Sequence, residues 1–276
     1  MSTSIAKKLL VHTYMLLFTM PIIGMIIWYV IAATFNGTTG QFTLENFTFV
    51  KEPIEYAGVV LPAIWPIVLN TLVYSVLIVV IEIGIAVPAA YAFSRLDFKG
   101  KLASMKFLFL MRSFPGITLI IATFFILVQM NLVNTYLGVI LVAITGSLPG
   151  RVYIMKGFFD EVPWDLEWAA MVDGCSRFRA LTKVLVPYVL PGIGAISVFS
   201  FLGAYGEWFL FKLFIFDDNM LTLAGYLSRL VTKENVILNY GLLTAIGLFY
   251  TIPLVVFYIF TQKIFLKINM GGAKQV

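Results

Sequence analysis

The sequence predicts an all-α membrane protein with six transmembrane helices and both termini in the cytoplasm. Three observations predict it. Of 276 residues, 61% are apolar and only 12% charged, with a mean hydropathy of +0.96. A soluble domain carries about 25% charged residues, so this chain lacks the polar surface to coat a globule. Six stretches, about 9–33, 67–93, 107–129, 136–156, 188–215 and 241–262, are apolar over the roughly 20 residues a helix needs to cross the hydrocarbon. The cations are unevenly shared among the connecting segments. The N-terminus, 94–106, 157–187 and the tail carry Lys7, Lys8, Arg95, Lys99, Lys101, Lys106, Arg177, Arg179, Lys183, Lys263, Lys267 and Lys274. The opposite set, 36–66, 130–135 and 216–240, carries only Lys51, Arg229 and Lys233. Cytoplasmic segments hold the Lys and Arg excess, which sets the orientation.

The same arithmetic excludes a soluble enzyme, a disordered tail and a disulfide scaffold. One cysteine (Cys175) and one histidine (His12) supply neither a multi-ligand metal site nor a disulfide framework. The net charge of +5 sits beside the predicted membrane faces, so it points to the lipid bilayer. No basic stripe interleaved with aromatics marks a nucleic-acid surface.

Span one follows Lys7 and Lys8 and has Ala32 and Ala33 near its end, as a signal peptide would. Its apolar run of about 25 residues exceeds the 7–15 of a signal core, so an uncleaved span is expected. The first outside segment carries Glu45, Glu52 and Glu55 and has room for a short interfacial helix. Pro88, Pro115, Pro149 and Pro253 fall within spans, where they kink helices and are tolerated. No internal repeat or low-complexity segment interrupts this order.

The unusual stretch is about 160–187. Pro163 suits the first position of a helix, and Asp165 and Glu167 in its first turn complement the helix dipole. Gly174 suits the left-handed position that ends a helix, and Ser176 caps a second short helix expected to stop at Pro187. The segment is then two short helices with a sharp bend. An amphipathic connector lying on lipid is one reading of it. Insertion into a partner is the other, because Ala169, Ala170 and Gly174 expose backbone where a lipid-lying helix prefers bulky apolar residues.

Ala169, Ala170, Asp173 and Gly174, followed by Val184 to Pro187, resemble the cytoplasmic "EAA" loop of permeases in binding-protein-dependent ABC importers. Further matches bracket them: Asn70, Thr71 and Leu72; the run from Ala89 to Lys101; Phe114, Pro115 and Gly116; Asn134, Thr135 and Tyr136; Lys156 to Phe159; and Gly271 to Lys274. Together they resemble the carbohydrate-uptake type, the maltose and glycerol-phosphate kind. The chain departs from that pattern in three places. Trp168 replaces the Glu before the Ala pair, with Glu167 one position earlier. Tyr205, Gly206 and Glu207 replace Trp-Asn-Glu, and Gly150 and Arg151 stand where bulky apolar residues are usual.

The resemblance implies one transmembrane domain over 1–276, with core permease spans at about 67–262 and a coupling loop at about 160–187. It implies a multi-pass protein of a bacterial or archaeal cell (inner) membrane. Implied partners are a second permease subunit of homologous type, a dimer of ATP-binding subunits and an extracytoplasmic solute-binding protein. No cofactor is expected on this chain; ATP and Mg are used by the partner ATPase. The residues agree, since no Gly-x-x-x-x-Gly-Lys-Ser/Thr phosphate loop is present, and Gly100-Lys101 lacks the upstream glycine and the following hydroxyl. ATPase coupling is then expected at Glu167, Ala169, Ala170, Asp173 and Gly174. The tail from Gly271 to Val276 is expected either to fray or to touch the ATPase.

Glu82, Arg112, Arg151 and Glu207 fall at membrane depth, where ionisable groups face a cavity or a partner. Lining the substrate path is one reading, with Glu207, Tyr205, Trp208, Arg112 and Glu82 as candidates. Internal pairing, for instance of Glu82 with Arg112, is the other, and Arg112 and Arg151 have the reach to snorkel. The competing class is an ion-coupled secondary transporter, which needs intramembrane carboxylates and often related halves. Only Glu82 and Glu207 serve that role here. An intramembrane enzyme is disfavoured because His12 has no cluster of partners.

Overall fold

A computed structural model describes residues 2–36, 40–56, 59–231 and 239–271. Among them the one sheet is a hairpin of two-residue strands, β1 (Glu55–Tyr56) and β2 (Val59–Val60), in the first connecting segment. A 3-10 turn at Glu45–Val50 precedes it and takes the place of the expected interfacial helix. The rest is built on helices: α1 (Ser2–Thr34), α2 (Ile64–Arg95), α3 (Lys101–Ser113), α4 (Gly116–Gln129) and α5 (Tyr136–Asp160). There follow α6 (Trp164–Val172), α7 (Arg177–Ala180), α8 (Val186–Tyr188), α9 (Leu190–Tyr205), α10 (Phe209–Phe214), α11 (Leu223–Val231) and α12 (Tyr240–Gly271).

Among the described residues four helices are long and apolar enough to cross a membrane: Leu10–Thr34, Ile64–Arg95, Tyr136–Asp160 and Tyr240–Thr261. The count reaches six if each of two bent pairs forms one span. The expected third span is one of these pairs, with α3 and α4 meeting at 99°. The cause is local: Phe114 and Pro115 are both extended (ψ 127° and 119°), because a proline pushes the residue before it out of the helical region. The fifth is the other pair, bent by 76° at Val189.

Pro187 does not stop the preceding helix as expected. A π-turn at Leu181–Leu185 carries the chain through, with the Val186 N–H donating back to the Leu181 carbonyl. That wider turn relieves the clash a proline ring makes with the carbonyl four residues back. Nor does one helix run from 188 to 215. It ends at Tyr205, Gly206 to Trp208 are non-helical, and α10 restarts the winding.

The chain divides into two compact units, 1–65 with 227–253, and 66–226 with 254–276. In the first, the Asn46 side-chain amide donates to the carbonyls of Ala33 (2.9 Å) and Phe35 (3.0 Å), tying the 3-10 turn to the end of α1. The Trp65 indole donates to the Val50 carbonyl, and its ring and Phe49 both lie edge-on to Phe249.

In the second unit, α2 buries a stripe of Ile67, Thr71, Tyr74, Ile78, Glu82, Ala86 and Ala90, the three-to-four spacing of one helix face. Its lower half packs with Val152, Met155 and Phe159 of α5 and with Leu185 and Ile196. Tyr74 and Ile78 pack with Val139, Ile144, Phe211 and Phe214. At Gly192 of α9 an added Cβ would stand 2.5 Å from the Phe158 ring, so only glycine admits this close approach of α9 to α5.

Candidate functional site

The sharp bend at 160–187 is built largely as the residue types require. Pro163 lies one position outside α6, with Asp165 and Glu167 in the first turn. Gly174 has φ +87°. Its N–H donates to the Met171 carbonyl (3.1 Å) and that of Cys175 to the Ala170 carbonyl (3.0 Å). These two bonds together close a helix through a left-handed glycine. Ser176 Oγ then accepts from the Arg179 N–H and starts α7.

The two faces of α6 differ. Glu167 and Ala170 are buried, Glu167 with 2% of its surface accessible. Asp165, Trp168, Ala169, Val172 and Asp173 are exposed and recur at the spacing of a single face, with Val172 86% accessible. Gly174 is exposed beside them, and Phe178 continues the apolar ridge onto α7.

The buried face is held by Arg95, which in the sequence is one of the cations near the span ends and part of the run from Ala89 to Lys101. Arg95, at the end of α2, is 5% accessible. Its guanidinium donates to the carbonyls of Phe159 (2.7 Å) and Val162, and stands 4.4 Å from the Trp164 ring centroid. Its Nε lies 3.8 Å from Glu167 Oε2, an ion pair rather than a hydrogen bond. The Tyr91 hydroxyl donates to Glu167 Oε1 at 2.6 Å. Beside them Ser94 Oγ donates to Asp160 Oδ1 (2.6 Å), and Lys156 Nζ lies 2.5 Å from Asp160 Oδ2. The short helix is thus fastened to the ends of α2 and α5. A signal for Arg95 does exist in the sequence: a cation one turn after an aromatic hydroxyl, at the end of a span whose stripe it continues.

A second polar cluster lies midway along α2. Glu82 is 1% accessible, and both its carboxylate oxygens are engaged. Ser147 Oγ donates to Oε1 and Ser200 Oγ to Oε2, while Arg151 Nε donates to Oε2 (3.1 Å) and to Ser200 Oγ (3.1 Å). The ion pair joins Glu82 to Arg151; the Arg112 side chain, the example of a partner that the sequence offers, lies outside the described residues. α2, α5 and α9 meet at this cluster.

The third candidate group is the break between α9 and α10. Tyr205 is buried and stacked on Phe201, which also stacks on Phe257 at 3.9 Å. Glu207 is half-buried; its Oε1 accepts from the Leu210 N–H (2.9 Å), capping α10, and its carbonyl accepts from Thr222 Oγ1 (3.3 Å). Trp208 is 44% accessible, with Lys212 Nζ 5.9 Å from its ring centroid. Tyr205, Glu207 and Trp208 are thus one local group at the break.

Residues beyond the break are pinned by the asparagines and threonine that the sequence reading singled out. Asn70 donates to the carbonyls of Asn219 (2.7 Å) and Leu221 (3.3 Å), and Thr71 Oγ1 accepts from the Leu223 N–H (2.8 Å). Asn134, at φ +59°, accepts from the N–H groups of Phe216 (2.9 Å) and Asp217 (3.2 Å). Positions 272–276 of the tail lie outside the described residues.

Comparison with known proteins gives a consistent result. Residues 82–267 match the family described as "Binding-protein-dependent transport system inner membrane component". An inner membrane ABC transporter permease protein of Escherichia coli is 29% identical over 239 residues, covering 85% of this chain and 81% of that protein. A maltodextrin transport system permease protein of Streptococcus pneumoniae is 27% identical over 208 residues, 75% of this chain and 74% of that one. Among solved structures, a bacterial ABC transporter involved in importing the acidic polysaccharide alginate superposes with a TM-score of 0.75 at 19% identity, covering 95% of each chain.

Proposed function

Since the chain belongs to the family of binding-protein-dependent transport system inner membrane components, and so is a multi-pass permease subunit of an ABC importer, we propose that it forms part of the translocation path for a carbohydrate and couples that path to a separate ATPase. The carbohydrate class rests on the maltodextrin permease among its relatives. Both termini lie in the cytoplasm of a bacterial or archaeal cell, as the Lys and Arg distribution requires. A second permease, homologous to this one, completes the path. An extracytoplasmic binding protein delivers the solute, and a dimer of ATP-binding subunits, using ATP and Mg²⁺, closes beneath α6. This chain performs no chemistry and holds no cofactor.

The observation that carries the proposal is the two-faced α6. Its exposed ridge of Trp168, Ala169 and Val172 is free to enter a partner, while Glu167 on the other face is locked to Arg95 and Tyr91. A helix of nine residues is too short to hold itself together in water, so this fastening is what lets it pass a push to the spans. Ala169 and Gly174 keep the entering surface low, and Asp173 supplies a carboxylate at its edge. Along the path, helical winding gives way at Gly206–Trp208, between α9 and α10, and transporters bind solute at such breaks. Glu207, Tyr205 and Trp208 are the residues of this chain assigned to the path; Arg112 stays a candidate by sequence position. Glu82 serves the path indirectly, by holding α2, α5 and α9 in register.

The test is cross-linking. In a Cys175→Ser background, Val172→Cys is expected to form an adduct with the ATP-binding subunit in native membranes. Labelling of that cysteine by lipid-phase reagents, without any ATPase adduct, would return α6 to the membrane surface and overturn the reading.

A further inference from the structure

Between α3 and α5 an elongated apolar cavity of about 330 Å³ runs from Met105 and Lys156 at one end to Ser113, Pro149 and Gly150 at the other. Its size falls within the roughly 300–1,000 Å³ of ligand cavities. The Phe109 and Tyr153 rings, edge to face with centroids 5.7 Å apart, line it. At the Lys156 end it adjoins a second, more polar cavity of about 530 Å³. The two share Phe93, Met105 and Lys156, and the second adds Ser94, Asp97 and Lys101. One continuous cleft thus has an oily body and a wet, cationic mouth.

Charge at the mouth favours an anion. Lys101 pairs with Asp97 at 3.5 Å and Lys156 with Asp160 at 2.5 Å, but the Asp97 side chain is fully exposed and Asp160 is shared with Ser94. In each pair the carboxylate is open to water, where ion pairs are weak, so both ammonium groups keep capacity for a further acceptor. Lys99 and Lys106, exposed on the same segment, do not line the cleft. The outer surface of α3 carries exposed Leu102, Phe107 and Leu110 beside Lys106, the mixture of a helix lying at the boundary between headgroups and acyl chains.

We infer that this cleft binds an anionic phospholipid, with part of one acyl chain along α5 between Val152 and Gly150, and the phosphate between Lys101 and Lys156. The site lies at the end of the spans where α2 and α5 hold α6, so its occupant packs against the elements that position the coupling helix. Gly150 lines the cavity and brings no side chain into it. A free inorganic phosphate satisfies the lysines but leaves the apolar body empty; the lipid satisfies both.

The test uses the intact importer, this chain with its partners, in phosphatidylcholine nanodiscs with and without phosphatidylglycerol. Native mass spectrometry reads lipids retained on the complex. Preferential retention of phosphatidylglycerol is expected, with the preference falling roughly tenfold in the Lys101→Gln/Lys156→Gln double variant. Leu108→Trp, which fills the cavity, is expected to abolish retention of either lipid. Lys99→Gln/Lys106→Gln is expected to leave the preference standing, because neither side chain lines the cleft. Co-purification of the partner subunits shows that each variant folds. Equal retention of both lipids by the unaltered complex, or competition by inorganic phosphate alone with no lipid retained, overturns the inference. So does a preference that follows Lys99 and Lys106 instead, or a cleft covered by the second permease.

Discussion

Gly174→Val isolates the backbone contribution of the α6–α7 elbow. An added Cβ meets nothing within 4 Å, so no clash with the rest of this chain accompanies the change. What changes is conformation: at φ +87° a side-chain-bearing residue is strained by roughly 1–2 kcal/mol, and a β-branched one by more. Should the backbone relax, it forfeits the closing bonds from Gly174 and Cys175 to Met171 and Ala170, at about 1 kcal/mol each. Either way the bent elbow loses about 2–3 kcal/mol, a shift of roughly 30- to 100-fold against its unbent alternatives. Insertion depends on spans that this change does not touch, so the chain's level in the membrane should stay within about twofold, by the same estimate of purely local strain. Uptake of labelled sugar, and ATP hydrolysis stimulated by the binding protein in proteoliposomes, should fall by an order of magnitude or more. Gly174→Asn separates the causes, since asparagine tolerates the left-handed region. It should retain most uptake if backbone conformation is what matters. Normal uptake in the valine variant refutes the argument, and equal loss in both variants shifts the cause to side-chain bulk at the docked surface.

Tyr91→Phe removes a hydrogen bond to a buried carboxylate and should weaken the elbow's attachment by about 1.5–3 kcal/mol, read as faster proteolysis of the 160–187 segment. Glu167→Ala leaves Arg95 buried without its ion-pair partner and should be more severe, about 3–5 kcal/mol, with membrane levels reduced as well as transport. Glu82→Ala should destabilise the purified complex similarly, whereas Glu82→Met combined with Arg151→Met should recover most of the melting temperature; a double variant no more stable than Glu82→Ala argues against a mainly structural pair. Gly192→Ala drives a methyl into the Phe158 ring and should lower stability by about 1–3 kcal/mol, with partial rescue by Phe158→Leu as the sign that the two helices are in contact.

Local rules carried the sequence reading a long way. Apolar length located the four helices that are long enough to span, because backbone groups in hydrocarbon permit little except helix; the other two expected spans are bent pairs. The elbow was legible to the residue at Gly174 and Ser176, since caps and left-handed turns depend on a few neighbours. Where the outcome hinged on a partner distant in sequence, the reading stopped short. Arg95 counts as one more cation beside a membrane until α5 and α6 close over it. Glu82 is 69 residues from Arg151, and pairing the two needs the rotation and depth of two helices at once. Pro187 misled for a related reason: a proline ends an α-helix in isolation, but a π-turn upstream gives the ring its room. At Glu207 the carboxylate turns back to cap α10, which only the break in the fifth span makes available.

The two ion pairs make a mechanical argument together that neither makes alone. Glu82 and Arg95 lie on one helix, thirteen residues and so about 20 Å apart. At one level α2 is bonded to α5 and α9, through Arg151, Ser147 and Ser200; at the other it is bonded to the end of α5 and to α6, through Phe159, Val162 and Glu167. Two fastenings that far apart resist hinging between α2 and α5 as a single one would not. Between them the Gly192 contact with Phe158 leaves no slack for α9 to slide on α5. Displacing α6 must then carry α2, α5 and α9 as one body, or break a buried ion pair. Ser200 sits five residues before Tyr205, so that body ends where the helix gives way to Gly206, Glu207 and Trp208. Under the proposed coupling, motion imposed at the elbow reaches Gly206–Trp208, the segment proposed for the solute path, with little loss in bending.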